Sequence, residues 1–127
     1  MKDVNNTSPE YRELLIDLCS RLPYKTYVSV ILPPNLRGIH WKLEDDLKVN
    51  TQLTFDVLKH NEVKYLRPYL RPILSLTNEE FLEYQAARNA SYKDEMDWLN
   101  ANHIDYRGLI KLGQAIEVTE ENNPYKN

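Results

Sequence analysis

The chain has 127 residues, of which 42% are hydrophobic and 28% are charged, and this composition is typical of a folded globular protein and excludes a disordered one. Its length suits one domain, so we expect a single domain over residues 1–127 with frayed tails at 1–7 and 119–127. The formal net charge of -3 argues against a general nucleic-acid binder, which needs excess Lys and Arg to neutralise phosphates.

The single cysteine, Cys19, cannot form an internal disulfide and indicates a reducing compartment. Residues 1–10 are polar and contain no apolar stretch of signal-peptide length. No apolar run in the sequence approaches the roughly 20 residues that cross a bilayer. We therefore expect a cytoplasmic protein that has no membrane partner.

The first predicted element is a helix that begins at Ser8, since serine is a good N-cap and Pro9 suits the first helical position. Apolar residues then recur at intervals of three and four, which predicts one apolar face. Its members are Tyr11, Leu14, Leu15, Leu18, Cys19 and Leu22. Pro23 is expected to end the helix, and Cys19 is interpreted as inert packing on the apolar face.

The middle of the chain is predicted to form a small, mostly antiparallel sheet. Residues 26–32 are rich in β-branched side chains, and residues 39–43 alternate apolar and polar side chains, so these two segments are expected to form a hairpin. A weaker extended region passes through Val49. A second alternation over residues 53–57 predicts a further strand, and another extended segment is expected at 63–66.

The helical second half is predicted to open at Thr77, because Glu80 stands three residues later and completes a capping box. Three side chains of this helix are expected to face the core: Phe81, Tyr84 and Ala87. Ser91 with Asp94 repeats the same start signal for a second helix. Its apolar stripe is formed by three side chains: Tyr92, Met96 and Leu99.

Asp105 is expected to cap a third, short helix that reaches Leu112 and is closed by Gly113. Residues 115–118 are then predicted to add a last edge strand. Together these elements indicate an α+β fold, with an N-terminal helix, a small mostly antiparallel sheet and a C-terminal helical segment.

The most unusual segment contains the unit Tyr-Leu-Arg-Pro twice in tandem, over residues 65–72. The prolines disfavour a helix and favour extended backbone. With a period of two residues, the Leu and Pro side chains share one face and the Tyr and Arg side chains share the other. Four side chains on this Tyr/Arg face are candidates for binding a partner or an anionic ligand: Tyr65, Arg67, Tyr69 and Arg71.

Two interpretations of the Tyr/Arg face stay open. As a site, its guanidinium groups would bind phosphate oxygens and its phenol rings would stack on a base. As structure, the same side chains would stack on one another along an edge strand that the prolines protect from pairing. The basic segment 59–71 would then face the acidic helices of 78–97. The structural interpretation is favoured, since cation–π pairs are common in folded proteins.

A second group of candidates lies in residues 97–110. His103 and Asp105 can orient one another and Arg107 can hold an anion, as a small enzyme acting on a phosphate-bearing substrate would require. The structural alternative is that Asp105 caps a helix among core residues. No nucleophilic residue is spaced so that it must lie close to His103, Asp105 and Arg107. The structural alternative is therefore favoured, and no catalytic residue is assigned.

Metal and cofactor motifs are not found in the sequence. The three histidines, His40, His60 and His103, lack the paired spacing of a zinc site. The three glycines form neither a P-loop nor a dinucleotide-binding fingerprint. We therefore predict no metal and no cofactor.

Three blocks carry a resemblance: residues 17–24, residues 64–80 and residues 97–110. In this order they resemble a family of small uncharacterised proteins from gut anaerobic bacteria and their prophages, whereas residues 26–58 depart from it. The family has no assigned activity. The resemblance therefore implies a phage-related genomic context, which favours accessory binding proteins, and it implies no catalytic residue.

We accordingly expect a non-enzymatic binding or interaction module whose partner is a host protein or a small anionic ligand. An exposed sheet edge near the Tyr/Arg face would also permit a homodimer. Two alternatives stay open: an enzyme acting on a phosphate-bearing substrate through His103 and Arg107, and local binding of nucleic acid, which would weaken steeply with salt.

Overall fold

The computed structural model describes residues 8–32 and 47–126. Within these ranges the helices are α1 (Arg12–Arg21), α2 (Phe55–His60), α3 (Asn78–Ala90) and α4 (Tyr92–Ala101). The strands are β1 (Tyr27–Leu32), β2 (Leu47–Gln52), β3 (Leu66–Leu70) and β4 (Ile116–Glu117). An N-terminal helix, a four-stranded mixed sheet and C-terminal helices make up the predicted α+β class.

The strands are ordered β2-β1-β3-β4, with β1 antiparallel to both β2 and β3 and with β4 parallel to β3. Two of the three pairings are antiparallel, as predicted, and β4 is an edge strand of the described sheet. β3 pairs with β1 on one side and with β4 on the other, so the expectation that the Tyr/Arg segment is an edge strand was wrong. The predicted strand at 39–43 lies outside the described residues. Among the residues that are described, β2 is the strand that pairs with β1 in place of the predicted one.

The predicted start of the first helix is confirmed, because the Ser8 hydroxyl accepts a hydrogen bond from the Glu10 amide and a short 3-10 turn leads into α1. The predicted end at Pro23 is confirmed for the α-helix, because α1 ends at Arg21 and Leu22 is its C-cap. A second 3-10 turn, Leu22–Tyr24, follows α1 until Lys25 takes a left-handed φ of 57°. Proline is tolerated there because the first residues of a turn need no amide hydrogen.

The buried face of α1 differs from the predicted one. Leu14 and Leu18 are fully buried, as expected. Cys19, however, is exposed, while Asp17 and Arg21 are fully buried. Positions 14, 17, 18 and 21 lie on one side of a helix, and position 19 is at least about 100° away from each of them. The interpretation of Cys19 as inert packing was therefore wrong.

The core lies between α1, the sheet and the C-terminal segment. It is a cluster of buried aliphatic side chains: Leu14, Leu18, Val28, Val30, Leu53, Leu66, Leu70 and Leu109. Leu66 and Leu70 both come from β3, which confirms that the two leucines of the Tyr-Leu-Arg-Pro repeat share a face that packs on the core.

The strand predicted at 53–57 was wrong, because this segment forms the start of α2. The Thr54 hydroxyl accepts a hydrogen bond from the Val57 amide at 3.2 Å, and this N-cap determines the local structure. Leu53 is 1% exposed and Phe55 is 62% exposed. The alternation of apolar residues here is therefore not that of a strand.

α3 and α4 form an antiparallel helical hairpin. The capping box of α3 is confirmed, since the Thr77 hydroxyl and the Glu80 carboxylate each accept a hydrogen bond from the other residue's amide. Tyr84 packs on Trp98 of α4, with the ring centroids 5.6 Å apart. Phe81 is 48% exposed and Tyr92 is 75% exposed, so the expectation that these two belong to the buried faces was wrong.

The third helix predicted from Asp105 to Leu112 is replaced by a series of turns. Both carboxylate oxygens of Asp105 do cap backbone, since they accept hydrogen bonds from the Leu109 and Ile110 amides at 2.9 Å. Gly108 has a left-handed φ of 75° between the cap and these amides. A right-handed helix cannot pass through that conformation. None of the helices in the described ranges is long and apolar enough to cross a membrane.

Candidate functional site

The four candidates on the Tyr/Arg face lie along β3 and its flanks, and each has its own partner within the fold. Tyr65 lies beneath the Lys64 ammonium group, which is 5.2 Å from its ring centroid, and it lines an open hollow with His60 and Asn61. Tyr69 is 6% exposed, and its hydroxyl donates to the Asn50 side chain of β2 at 2.8 Å. The Tyr69 ring is therefore not accessible for stacking on a base.

Arg71 forms a bidentate ion pair with Glu80 at the start of α3. Its two terminal nitrogens donate to the two carboxylate oxygens at 2.9 and 2.8 Å. This contact is the main reason why the pKa of Glu80 falls to about 2 and why the pKa of Arg71 is raised. The pair brings the basic segment against the acidic helices, as the structural interpretation supposed.

Arg67 is the candidate cation that has no carboxylate partner within the described residues. One terminal nitrogen donates to the Lys64 and Leu66 carbonyls at 2.7 and 3.0 Å. Its guanidinium group lies 5.7 Å from the ring centroid of Tyr11. These contacts favour a structural role for the Tyr/Arg face, and its role in binding an anion or a partner stays a prediction.

The structure brings Arg71 next to His103 and Asp105, which the sequence treated as separate groups. The Arg71 amide donates to the His103 carbonyl, and the Asp105 amide donates to the Arg71 carbonyl, both at 2.8 Å. These two bonds extend the pairing of β3 beyond its last residue. The carboxylate of Asp105 caps the turn after it and does not orient the His103 ring.

The His103 ring is largely buried. It stacks on Tyr125 with a centroid distance of 3.8 Å and an interplanar angle of 10°, and its Nδ1 lies 3.2 Å from the Thr26 hydroxyl. Burial lowers the pKa of His103 to about 4, with a further contribution from the charges of Arg21 and Arg71. The ring is therefore neutral at pH 7, and proton donation from an imidazolium is not favoured there.

Arg107 belongs to a cluster that the sequence did not predict. It donates to Asp17 at 3.2 Å and to Glu13 at 3.4 Å, both on α1. Asp17 also pairs with Arg21 at 2.7 Å, and both side chains are fully buried. The Tyr106 ring lies 5.0 Å from the Arg21 guanidinium carbon and 5.1 Å from that of Arg107.

This charge cluster, formed by Asp17, Arg21, Tyr106 and Arg107, joins α1 to the turn after α4. Arg21 also donates to the Ile104 carbonyl at 2.7 Å. Two guanidinium groups face two carboxylates, counting Glu13, so no cationic charge is left in excess for an anion. The signal in the sequence was the spacing of four between Asp17 and Arg21, which allows a pair on one helix face.

A different surface exposes apolar side chains to solvent. The hairpin surface consists of Ile73, Leu74, Phe81 and Leu82, which are 43%, 94%, 48% and 66% exposed. They lie in the 3-10 turn before α3 and in its first two turns. α3 has no buried residue. The sequence predicted this helix but not the exposure of its apolar side chains.

The outer side of α3 is the side opposite the residues that contact α4. Glu83 accepts a hydrogen bond from the Trp98 indole, and the Tyr84 hydroxyl donates to Glu95. With 3.6 residues per turn, Leu82 lies on the opposite side, together with Gln85 and Asn89. This outer side is uncharged.

Among the residues that the structure describes, no three His, Cys, Asp or Glu side chains are grouped so that they could hold a metal ion.

No protein-family model, no curated protein and no solved structure matches the chain. The resemblance to small proteins of gut anaerobic bacteria and their prophages therefore stays a prediction.

Proposed function

We propose that the chain is a non-enzymatic interaction module that binds a protein partner through the hairpin surface. The observation that carries the proposal is the exposure of Leu74 and Leu82, which are 94% and 66% exposed beside the partly exposed Phe81. Burying one such side chain in an interface contributes about 1.5–3 kcal/mol. A handful of such anchors accounts for most of the energy of a typical interface.

The distribution of charge around the hairpin surface supports a protein partner of a particular kind. The outer side of α3 is uncharged, and interface centres are depleted in charged residues. On α3 the acidic side chain of Glu79 lies in the first turn, and Asp94 lies in the first turn of α4. We therefore infer a partner with an apolar groove bordered by Lys or Arg, which would accelerate association at low salt.

The internal contacts of the other candidates also support this choice. Arg71 and Arg107 are paired with carboxylates of the same chain. His103 is neutral at pH 7, since its pKa is about 4. A phosphate-bearing substrate would have to compete with these existing ion pairs for the same guanidinium groups.

The test replaces Leu82 by a photo-crosslinking amino acid in cells that produce the chain, and the adduct is identified by mass spectrometry. The identified protein is then purified, and its affinity is measured for three forms of the chain: wild type, Leu82→Asp and Leu112→Asp. Leu112 is a matched control, because it is 63% exposed but lies in the turn after Asp105.

We expect Leu82→Asp to weaken binding at least about tenfold, because replacing a central interface anchor costs about 2 kcal/mol or more and tenfold corresponds to about 1.4 kcal/mol. Leu112→Asp should change affinity less than about twofold. Circular dichroism verifies that both variants are folded. A partner that binds all three forms equally, or an absence of any adduct specific to position 82, would contradict the proposal.

A further inference from the structure

The hydroxyl of Tyr125 lies between two strands of the sheet. It accepts a hydrogen bond from the Tyr27 amide of β1 at 2.9 Å and donates to the Tyr69 carbonyl of β3 at 2.8 Å. Tyr125 itself belongs to the segment 119–126, which follows β4. A side chain from outside the sheet thus links two neighbouring strands.

The register of β1 and β3 indicates that this hydroxyl replaces a direct bond of the ladder. Val28 is opposite Pro68, and proline has no amide hydrogen to donate. In an antiparallel pair, hydrogen-bonded and non-hydrogen-bonded positions alternate. Tyr27 precedes Val28 on β1, and Tyr69 follows Pro68 on β3. These two residues would therefore form a hydrogen-bonded pair. Instead, the register of the two strands stops at Val28 and Pro68, and the Tyr125 hydroxyl bonds to both of these tyrosines.

The ring of Tyr125 is held as specifically as its hydroxyl. The His103 ring stacks on one face at 3.8 Å, and the Tyr27 ring meets it edge-on at 5.7 Å with an interplanar angle of 86°. Burial raises the pKa of Tyr125, so the phenol stays neutral and keeps its proton for the Tyr69 carbonyl. Tyr27, Tyr69 and His103 together form what we call the phenol slot.

The rest of the segment has few bonds to the body of the protein. Thr119 and Asn122 bond to each other through their backbones, and the Asn123 side chain accepts from the Tyr125 amide. Among the described residues, the hydrogen bonds of 119–126 other than those of the Tyr125 hydroxyl stay within 117–126. The phenol is therefore the main polar attachment of this segment.

We propose that the phenol slot recognises the tyrosine side chain of a peptide, and that Tyr125 fills it in cis. The slot offers a backbone donor, the Tyr27 amide, and a backbone acceptor, the Tyr69 carbonyl. This combination matches a hydroxyl group, which both accepts and donates. The flat face of His103 matches an aromatic ring. A phenylalanine would fill the same volume but would leave both backbone groups without a partner.

The test empties the slot with Tyr125→Ala and supplies phenols in trans. The probes are p-cresol, which reproduces the tyrosine side chain, and toluene, which lacks the hydroxyl. Thermal unfolding and the NMR signals of His103 report binding. The matched control is Tyr24→Ala, which removes a phenol bonded to Asp97 in the same chain but leaves the slot filled.

We expect p-cresol to bind the Tyr125→Ala chain at least about tenfold more tightly than toluene, since each unmade hydrogen bond of a buried group is costly. It should not stabilise wild type or Tyr24→Ala, in which the slot is occupied. If Tyr125→Ala is unfolded alone, p-cresol should restore its circular dichroism spectrum by mass action, and toluene should not.

A second arm uses the peptide Thr-Glu-Glu-Asn-Asn-Pro-Tyr-Lys, which corresponds to residues 119–126. This peptide should raise the melting temperature of Tyr125→Ala, whereas the same peptide with phenylalanine in place of tyrosine should not. Equal effects of p-cresol and toluene would overturn the proposal. So would equal effects of the two peptides, or stabilisation of wild type as large as that of the variant.

Discussion

Asp17 and Arg21 are fully buried and lie one turn apart on α1. Asp17 also accepts from Arg107, 90 positions along the chain. One buried carboxylate therefore binds two guanidinium groups, and Glu13 supplies a second carboxylate to Arg107. Breaking a buried ion pair by removing one partner is costly, because the charge that remains has lost its compensation.

We predict that Asp17→Asn destabilises the protein by about 3–5 kcal/mol, as expected for a buried charge left unpaired. Glu13→Gln removes a carboxylate that contacts the same Arg107 but is 60% exposed, and it should cost no more than about 1 kcal/mol. Urea unfolding at pH 7 measures both. A loss for Asp17→Asn that is no larger than the loss for Glu13→Gln would contradict the structural importance of the charge cluster.

His103 makes stability depend on pH between about 4 and 6.5. Its pKa in the folded protein is about 4, against an ordinary value of 6.5. In this window the unfolded chain binds a proton that the folded chain does not, so stability falls as pH falls from 6.5 to about 4. Below pH 4 both states are protonated and this residue causes no further loss. The full difference corresponds to at most about 3 kcal/mol.

We predict that His103→Asn flattens this dependence, since asparagine tolerates the left-handed φ of 60° at this position and does not titrate. The exposed His60 provides the control, and His60→Gln should leave the dependence unchanged. The pH dependence of each form is measured as its free energy of unfolding in urea at pH 7.0, 6.0 and 5.0. If wild type and His103→Asn lose the same stability between pH 7.0 and 5.0, the neutral state of the buried imidazole has no role.

At the scale of single elements, short-range signals predicted helix starts well and helix faces poorly. Ser8, Thr77 and Ser91 all accept the capping hydrogen bonds expected of them. A cap depends on residues two or three positions away, so it can be read from a short window of sequence. Phe81 was placed in the core because it is apolar, but burial depends on which element packs against that side of the helix.

The errors in the sheet have the same origin. Leu53 and Phe55 alternate with polar residues as a strand would, yet the Thr54 cap starts α2 between them. β3 was expected at an edge because of its prolines, but Pro68 is paired with Val28 inside the sheet. Proline is excluded from a sheet only at positions whose amide must donate a hydrogen bond to the neighbouring strand. The sequence pattern does not reveal which positions these are.

At the scale of the whole molecule, the contacts that join distant parts of the chain had no signal in the sequence. Arg107 reaches Asp17 on α1, and the Tyr125 hydroxyl reaches Tyr27 and Tyr69. The candidate residues of the turn after α4 were named from the sequence as a possible site, and that role stays a prediction. Their partners could not be predicted, because each partner lies on an element that only the folded topology brings near.

The buried residues are distributed unequally over the molecule. α1, the sheet and the segment from Ile104 to Leu109 share the buried core. α3 has no buried residue, and its links to the sheet include the ion pair between Arg71 and Glu80. Regions with few buried contacts open locally at a lower free energy than the core. The surface proposed to bind a partner therefore lies on the part that we expect to open more readily.

We predict that amide hydrogens of α3 exchange at least about tenfold faster than those of β1 and β3, and that Glu80→Gln widens this difference. Glutamine can still accept the Thr77 amide and keep the capping box, but it loses the ion pair with Arg71, which contributes about 1–3 kcal/mol. Glu79→Gln, in the same turn, is the control. Hydrogen exchange measured by mass spectrometry at pH 7 separates the two parts.

The dependence of hydrogen exchange in α3 on acidic pH is a second test of the ion pair between Arg71 and Glu80. The pKa of Glu80 in the folded protein is about 2, below its ordinary value of 4.5. The ion pair therefore stabilises the fold fully above pH 4.5 and is lost as pH falls from 4.5 towards 2. The protection of α3 should decline over that range in wild type before the protection of β1 does, and Glu80→Gln should already show the low value at pH 7. If a single rate describes α3, β1 and β3 in both forms, the hairpin and the core unfold as one unit, and a separately opening interaction surface is excluded.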